Sequence, residues 1–260
     1  MAIKNEQFLK ELLPFSKVTV VPGVTVGDLN FASAQSAFST CYFQPSADET
    51  FDANQDKDLF QAAIGDNGQG LAAGQVMTRG QTNWVDSQGR LPANEVFVGI
   101  RCLVSAYKHT NSSAAALSGA TLPSSKQAPI TDVAALYQIL SQFSWEYQIG
   151  DGIIRNSGAL IGFPQGGGVY QPQQFISGTA AAAAIAAQSG WPSADTKKDL
   201  PIPFMFLPNI TTRVKVKSGA KIVVEAASGT AGTTFDNGTA TADYLAIRMT
   251  FQGYKLTMPV

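Results

Sequence analysis

The sequence predicts an all-β protein, built as a sandwich or a barrel. Three observations predict this class. Apolar and polar residues alternate over several stretches, turns rich in glycine and proline separate those stretches, and helical periodicity is confined to short segments. We count about ten strand-like stretches, at a spacing typical of sandwiches and barrels.

The first predicted element is nevertheless a short helix at residues 4–13, which Pro14 ends. Its apolar face consists of Phe8, Leu9, Leu12 and Leu13. Residues 1–14 are therefore predicted to form a helical arm, and residues 15–260 the body. Three interpretations stay open: the arm packs on its own body, lies under a neighbouring subunit, or rests on a lipid surface.

Residues 16–26 are rich in β-branched side chains and are interrupted by Pro22 and Gly23, which is typical of an edge strand. Residues 48–60 are acidic and predict a solvated loop leading into a short helix. The spacing of the Asp and Asn residues in this stretch imitates the start of a calcium-binding loop. The imitation fails because Lys57 stands where the loop needs glycine and Ala63 where it needs glutamate.

The clearest strand covers residues 95–108, where Val96, Val98, Ile100, Cys102 and Val104 recur at every second position. The alternate positions are also largely apolar, which is typical of a strand between two covered layers. A helix follows at residues 131–141, with Thr131 as its cap. Strand-like patterns resume at residues 143–149 and 159–163.

The last sixty residues predict a β-meander. In residues 211–217, Val214 and Val216 point inward between basic residues, and Gly219 begins the turn to a returning strand at 221–226. In the closing strand one face carries Leu245, Ile247, Met249 and Phe251. Gly253 breaks its register.

The residues that could perform chemistry are few. Cys41 and Cys102 are expected to be small buried hydrophobes. The single histidine, His109, is expected to be an exposed residue at a strand end. Nucleophile-elbow and phosphate-binding motifs are absent. We therefore predict no catalytic, cofactor-binding or metal-ligating residue, and no enzymatic activity.

The charge of the chain is low. Charged residues make up 14% of the 260 residues, against about 25% in average proteins. Either neutral polar side chains or other subunits must then cover the surface. The net charge of −1 and the lack of a basic block argue against binding to a nucleic-acid backbone.

Residues 156–194 contain no Asp, Glu, Lys or Arg. A low-complexity linker is one interpretation. We favour a loop that becomes ordered against neighbouring subunits, because interface cores are poor in charge and rich in aromatic residues. Its candidate anchors are Phe163, Tyr170, Phe175 and Trp191.

Four segments carry a resemblance to a known family: GRLPANEVFVGIRCLVSA, FSWEYQIGDGIIRNSGALIGFPQGGGV, LPIPFMFLPNITTRVKV and LAIRMTFQGYKLTMPV. Over about residues 73–260 the chain resembles the major capsid proteins of tailless icosahedral bacteriophages, many of which carry an internal membrane. The shared motifs are a Gly-x-Leu-Pro turn before a long strand, a glycine-rich turn, and a strand flanked by prolines.

The resemblance implies an upright jelly roll. A single roll with embellishments fits the strand count better than a compact double roll, which the length also permits. It further implies copies assembled into trimers or pseudo-hexameric capsomers, contacts with minor capsid proteins and with any internal membrane, and a place in the virion shell after synthesis in the host cytoplasm.

A second class of function stays open from the residues alone. A jelly-roll module that binds carbohydrate or a receptor, on a virion or a cell surface, would expose aromatic side chains on one face. Trp84, Trp145 and Trp191 are the candidates for such a platform, although Trp145 lies in a stretch that is predicted to be buried.

Overall fold

The computed structural model describes most of the chain. The described residues are 10–45, 50–53, 55–71, 75–85, 89–112, 126–130, 133–150, 153–163, 174–175, 184–185, 198–219, 221–223 and 241–258. The predicted all-β class is confirmed, because antiparallel sheets form the body.

Eight strands form the two main sheets. They are β3 (Asn30–Phe43), β5 (Gln55–Leu59), β6 (Glu95–Ser112), β8 (Phe143–Ile149), β9 (Ile153–Ala159), β12 (Lys198–Phe206), β13 (Thr212–Ser218) and β15 (Thr241–Thr257). The shorter strands are β1 (Thr19–Val21), β2 (Val24–Thr25), β4 (Thr50–Phe51), β7 (Lys126–Pro129), β10 (Gln174–Phe175), β11 (Ala184–Ile185) and β14 (Ile222–Val223).

The strand order of the two sheets follows one rule. The first sheet runs β12-β6-β15-β3, with β7 also paired to β6, and the second runs β5-β13-β8-β9. Numbered one to eight along the chain, the main strands pair first with eighth, second with seventh, third with sixth and fourth with fifth. This is the pairing of one long hairpin, rolled so that its successive strand pairs alternate between the two sheets.

The main core lies between these sheets and is rich in aromatic rings. Phe251 of β15 stacks on Phe204 of β12 with 4.4 Å between ring centroids. Phe60 and Phe206 pack against Phe251, and Trp84 packs against both of them. The face predicted for the closing strand is confirmed, since all four of its apolar side chains belong to this core. Cys41 and Cys102 are buried free thiols, as predicted.

The outer face of the first sheet is also covered. Residues 12–29 pack on one half of it and form a second cluster around Val96, Val98 and Leu256. Ala62, Leu71 and Met77 cover the other half and form a third cluster. Strand β6 therefore lies between two covered layers, as its sequence predicts.

A bulge changes which residues of β6 face the main core. Val96, Val98 and Ile100 belong to the outer cluster, whereas Cys102 and Val104 belong to the main core. The register of β6 against β15 shifts between Gln252 and Gly253, where the sequence predicts a break. Glycine is required there, because a Cβ atom on Gly253 would lie 1.9 Å from the carbonyl oxygen of Val98.

Three predictions of local structure are wrong. Residues 48–60 form no helix in their described part, since β4 and β5 occupy it. The last sixty residues are not a meander: β12 and β15 belong to one sheet, β13 belongs to the other, and β14 pairs with β4. Residues 160–162 form a 3₁₀ turn after β9. Alternation shows which residues share a face, but it does not choose the partner strand.

The two predicted helices have different outcomes. Helix α1 (Val133–Gln142) confirms the second, and its cap Thr131 lies outside the described residues. Of the helix predicted at residues 4–13, residues 10–12 are helical and continue into a 3₁₀ turn at Leu13–Phe15. Residues 1–9 are not described. None of the described helices is long and apolar enough to cross a bilayer.

Candidate assembly surfaces

The N-terminal arm is fixed to its own body at Leu12. This side chain is 5% exposed and packs in the outer cluster. Glu11 binds the same face, because its carboxylate accepts a hydrogen bond from Tyr254 and forms an ion pair with Arg101 at 3.4 Å. Burial and the adjacent Glu11 carboxylate raise the pKa of Tyr254 to about 12.

The other apolar residues predicted for the face of the arm are not shown to be buried as Leu12 is. Leu13 is 61% exposed and is therefore available to a neighbouring molecule. Phe8 and Leu9 lie outside the described residues.

The predicted anchors within residues 156–194 are only partly described. Phe163 is buried in its own subunit, with its ring 5.0 Å from that of Trp145, so its surface is already covered. The backbone of Phe175 lies in β10, which pairs with β11. The side chain of Phe175 and the residues Tyr170 and Trp191 lie outside the described part of the chain.

Four edge strands of the two sheets, β3, β12, β5 and β9, differ in how they are protected. The further edge strand β7 pairs with β6 beside β12, and its side chains lie outside the described part of the chain. An open strand edge is a template for pairing with another chain. In the second half of β3 this edge is occupied: Phe38 donates its N–H to the Asn83 side chain at 2.9 Å, and Tyr42 donates its N–H to the Gln69 carbonyl at 2.7 Å. The first half, residues 30–36, carries mainly small and polar side chains.

At Met205, the edge of β12 is closed by a tyrosine from the opposite sheet. The Tyr147 hydroxyl donates to the Met205 carbonyl at 2.7 Å and accepts from the Met205 N–H at 2.8 Å. Burial raises the pKa of Tyr147, so the hydroxyl keeps the proton that it donates. Pro201 and Pro203 remove two further donors from this strand.

The edge strand β5 is charged, with Asp56, Lys57 and Asp58 in succession. On the outer face of this sheet, Lys217 lies 2.8 Å from Glu146 and 3.8 Å from Asp56, and Lys215 lies 3.9 Å from Asp58. The hydrogen bond to Glu146 raises the pKa of Lys217. Because acids accompany the basic row, this face is not an open cationic surface for nucleic acid.

The edge of β9 is the most open of the four. β9 pairs with β8 on one side, and among the described residues no strand pairs with its other side. Ile153 and Ile154 are 57% and 51% exposed, and Ile161 follows in the next turn. A local hydrogen bond of 2.9 Å joins the Ser157 N–H to the Asn156 side chain.

The residues considered for chemistry are buried. His109 is fully buried, with its ring 4.9 Å from that of Tyr42, so its predicted exposure is wrong. The strand continues beyond it to Ser112, and pairing with β7 and β15 places His109 inside the sheet. Trp84 and Trp145 are core residues. Among the described residues, no cluster of histidine, cysteine, aspartate or glutamate side chains could hold a metal ion.

Sequence reasoning missed three edge strands, β3, β5 and β9, and assigned β5 to a loop. β3 escaped detection because its stretch Asn30–Ser36 mixes small and polar residues without clear alternation. β9 carried a usable signal, since the sequence at 150–152 is Gly-Asp-Gly between two apolar stretches. An Asp-Gly pair in this setting is typical of a hairpin, and Gly150 has a positive φ of 65°.

Comparison with known proteins does not assign the chain. No model of a known protein family matches it, and no curated protein matches it.

Proposed function

We propose that this protein is a structural subunit of an icosahedral virus shell, a major capsid protein with the fold of a single jelly roll. The observation that carries the proposal is the nested pairing of the eight main strands. A hairpin of eight strands rolled into two sheets is a jelly roll, an architecture that is frequent in capsid and lectin domains. The family resemblance of the sequence favours the capsid.

The way in which the strand edges are protected supports a function as a shell subunit. A subunit surrounded by copies of itself needs strand edges that are paired, covered or used in contacts. Three edges are protected over part of their length by hydrogen bonds, prolines or charges, and the edge of β9 is open and carries two exposed isoleucines. The low charged fraction of 14% agrees with broad lateral contacts.

The burial of the candidate chemical residues supports a structural function over a catalytic one. The single histidine, His109, lies under Tyr42, where a dissolved substrate has no access. A carbohydrate-binding module is also less favoured. Trp84 and Trp145 are 6% and 5% exposed, so neither can stack on a sugar.

The partners that follow from the proposal are copies of the same chain, arranged as trimers or pseudo-hexameric capsomers. Minor capsid proteins and any internal membrane would be further neighbours in the virion. Leu13 is an exposed apolar side chain beside the arm and could contact either a neighbouring capsomer or a lipid surface.

Trp191→Asp tests the proposal at the segment 156–194. We expect the variant to retain the β-type circular dichroism and the melting temperature of the wild type and to lose capsomer formation. A charge buried at an interface without a partner is strongly disfavoured, whereas the same charge on a solvated loop costs little. Sedimentation velocity of both proteins over a concentration series measures assembly.

Val85→Asp is the matched control, because Val85 is 84% exposed in the described structure and should tolerate the charge. Normal assembly of Trp191→Asp would show that the segment is a solvated linker. An unfolded Trp191→Asp would assign Trp191 to the core of its own subunit. Either result contradicts the proposed interface.

A further inference from the structure

We propose that β9 is a docking edge for a second copy of this chain, which adds its own β9 in the antiparallel direction. The pairing would join two four-stranded sheets into one sheet of eight strands across a two-fold axis. This inference rests on the proposed self-assembly and deepens it by naming one contact. It concerns a surface separate from the segment around Trp191.

The choice of β9 follows from comparison with the edges of β12, β3 and β5. The hydroxyl of Tyr147 occupies the edge of β12, the Asn83 side chain and the Gln69 carbonyl occupy half of β3, and β5 is charged. The open half of β3 lacks large exposed apolar side chains. Among the described edges, β9 alone combines an open ladder with exposed isoleucines.

The charge pattern of β9 suits pairing with itself. The strand is Ile-Ile-Arg-Asn-Ser-Gly-Ala, and Arg155 is its single charge. Asn156 is its middle residue, so pairing over the full length places the two-fold axis at Asn156. Arg155 is the extra residue of a bulge in β9, because Tyr147 pairs with Asn156 and Gln148 pairs with Ile154. In the full-length register, Arg155 of one copy lies beside Ser157 of the other, and the two guanidinium groups are not directly opposed. Like charges directly opposite would be destabilising.

The isolated contact should be weak. Specific interfaces bury about 1,200–2,000 Å² in total, and two strand edges of 7 residues each cover well below that. Weak contacts become effective when an assembly repeats them or holds them together with others. We therefore expect this contact to be detected by covalent trapping more readily than as a free dimer.

Cysteine scanning tests the pairing directly. Single cysteines at Ile154, Arg155, Asn156 and Ser157 are oxidised in concentrated protein, and disulfide-linked dimers are measured on denaturing gels. The native Cys41 and Cys102 are fully buried and should not interfere. Opposed residues in an antiparallel pair lie close enough for a disulfide, and adjacent residues point to opposite faces.

We expect the dimer yield to peak at Asn156→Cys and to fall several-fold at Arg155→Cys and Ser157→Cys. Ile202→Cys on the closed edge of β12 and Ala34→Cys on the polar part of β3 are controls with exposed side chains. Equal yields at all positions, or a higher yield at either control, would overturn the proposal.

A charge variant gives a second measurement. Ile153→Lys combined with Ile154→Lys should fold normally, because both side chains are exposed, and should reduce assembly at least several-fold. Ile202→Lys, which adds a charge at a 58% exposed isoleucine, should assemble like the wild type. Unimpaired assembly of the β9 variant would contradict the proposed docking edge but not the proposed function. A wild type that remains monomeric contradicts both this inference and the proposed function.

Discussion

Phe251→Ala is expected to lower the free energy of unfolding by about 3–5 kcal/mol, the usual cost of deleting a buried phenylalanine. Phe251 is fully buried between the sheets and stacks on Phe204. Phe60 and Phe206 lie 5.7 Å and 6.1 Å from it, between ring centroids. These three packed neighbouring rings cannot all move into the space that the Phe251 ring leaves, so a cavity should remain.

Phe31→Ala is the control variant for Phe251→Ala. Phe31 is half-buried on the outer face, where its ring meets the edge of Tyr254 at 6.3 Å. Its truncation should cost clearly less, since water can fill the space. Urea unfolding followed by circular dichroism measures both variants. A similar loss for the two would show that the aromatic cluster is not the centre of stability.

Tyr147→Phe is expected to cost about 1–3 kcal/mol, the penalty for leaving a buried polar group without a partner. The substitution keeps the aromatic ring, which lies 4.4 Å from that of Phe204. It removes the hydroxyl that binds both the N–H and the carbonyl of Met205. Both groups would lose this partner, and the two sheets would lose a direct polar contact.

Tyr254→Phe provides the matched control for Tyr147→Phe. The Tyr254 hydroxyl donates to Glu11 at a partly exposed position, where water can replace the lost contact. Its loss should cost less than about 1 kcal/mol. Melting temperatures of the two variants at equal protein concentration make the comparison. A larger loss for Tyr254→Phe would contradict the proposed closure of the β12 edge.

The sequence predicted those parts of the fold in which alternation is strong. In β13 and β15, Val214, Val216 and the apolar residues from Leu245 to Phe251 repeat at every second position. Their predicted inward faces are confirmed, since these residues belong to the main core. The break at Gly253 is also confirmed. In these strands, burial on one face determines which side chains must be apolar.

Other parts could not be read from local patterns. The bulge in β6 moves Val96 and Val98 to the opposite face from Cys102, although their spacing along the chain is regular. β5 was assigned to a loop because its charged side chains are those of an edge strand. Which sheet each strand enters depends on contacts between residues far apart in sequence, and a single sequence does not display these contacts.

The candidate surfaces were predicted less well than the fold. An apolar residue looks the same in sequence whether it packs on its own body, as Leu12 and Phe163 do, or is exposed, as Leu13 is. β9 was not assigned as a strand because glycine and polar residues fill its second half. Its open edge became visible once the partners of the other strands were known.

The most direct test of the central claim is electron microscopy of concentrated wild-type protein, together with its mass in solution. A capsid subunit should form trimers or pseudo-hexameric capsomers of uniform size, and closed or sheet-like arrays of them at high concentration. We predict such particles. A protein that stays a monomer or a small oligomer at every concentration, without ordered arrays, would contradict the account.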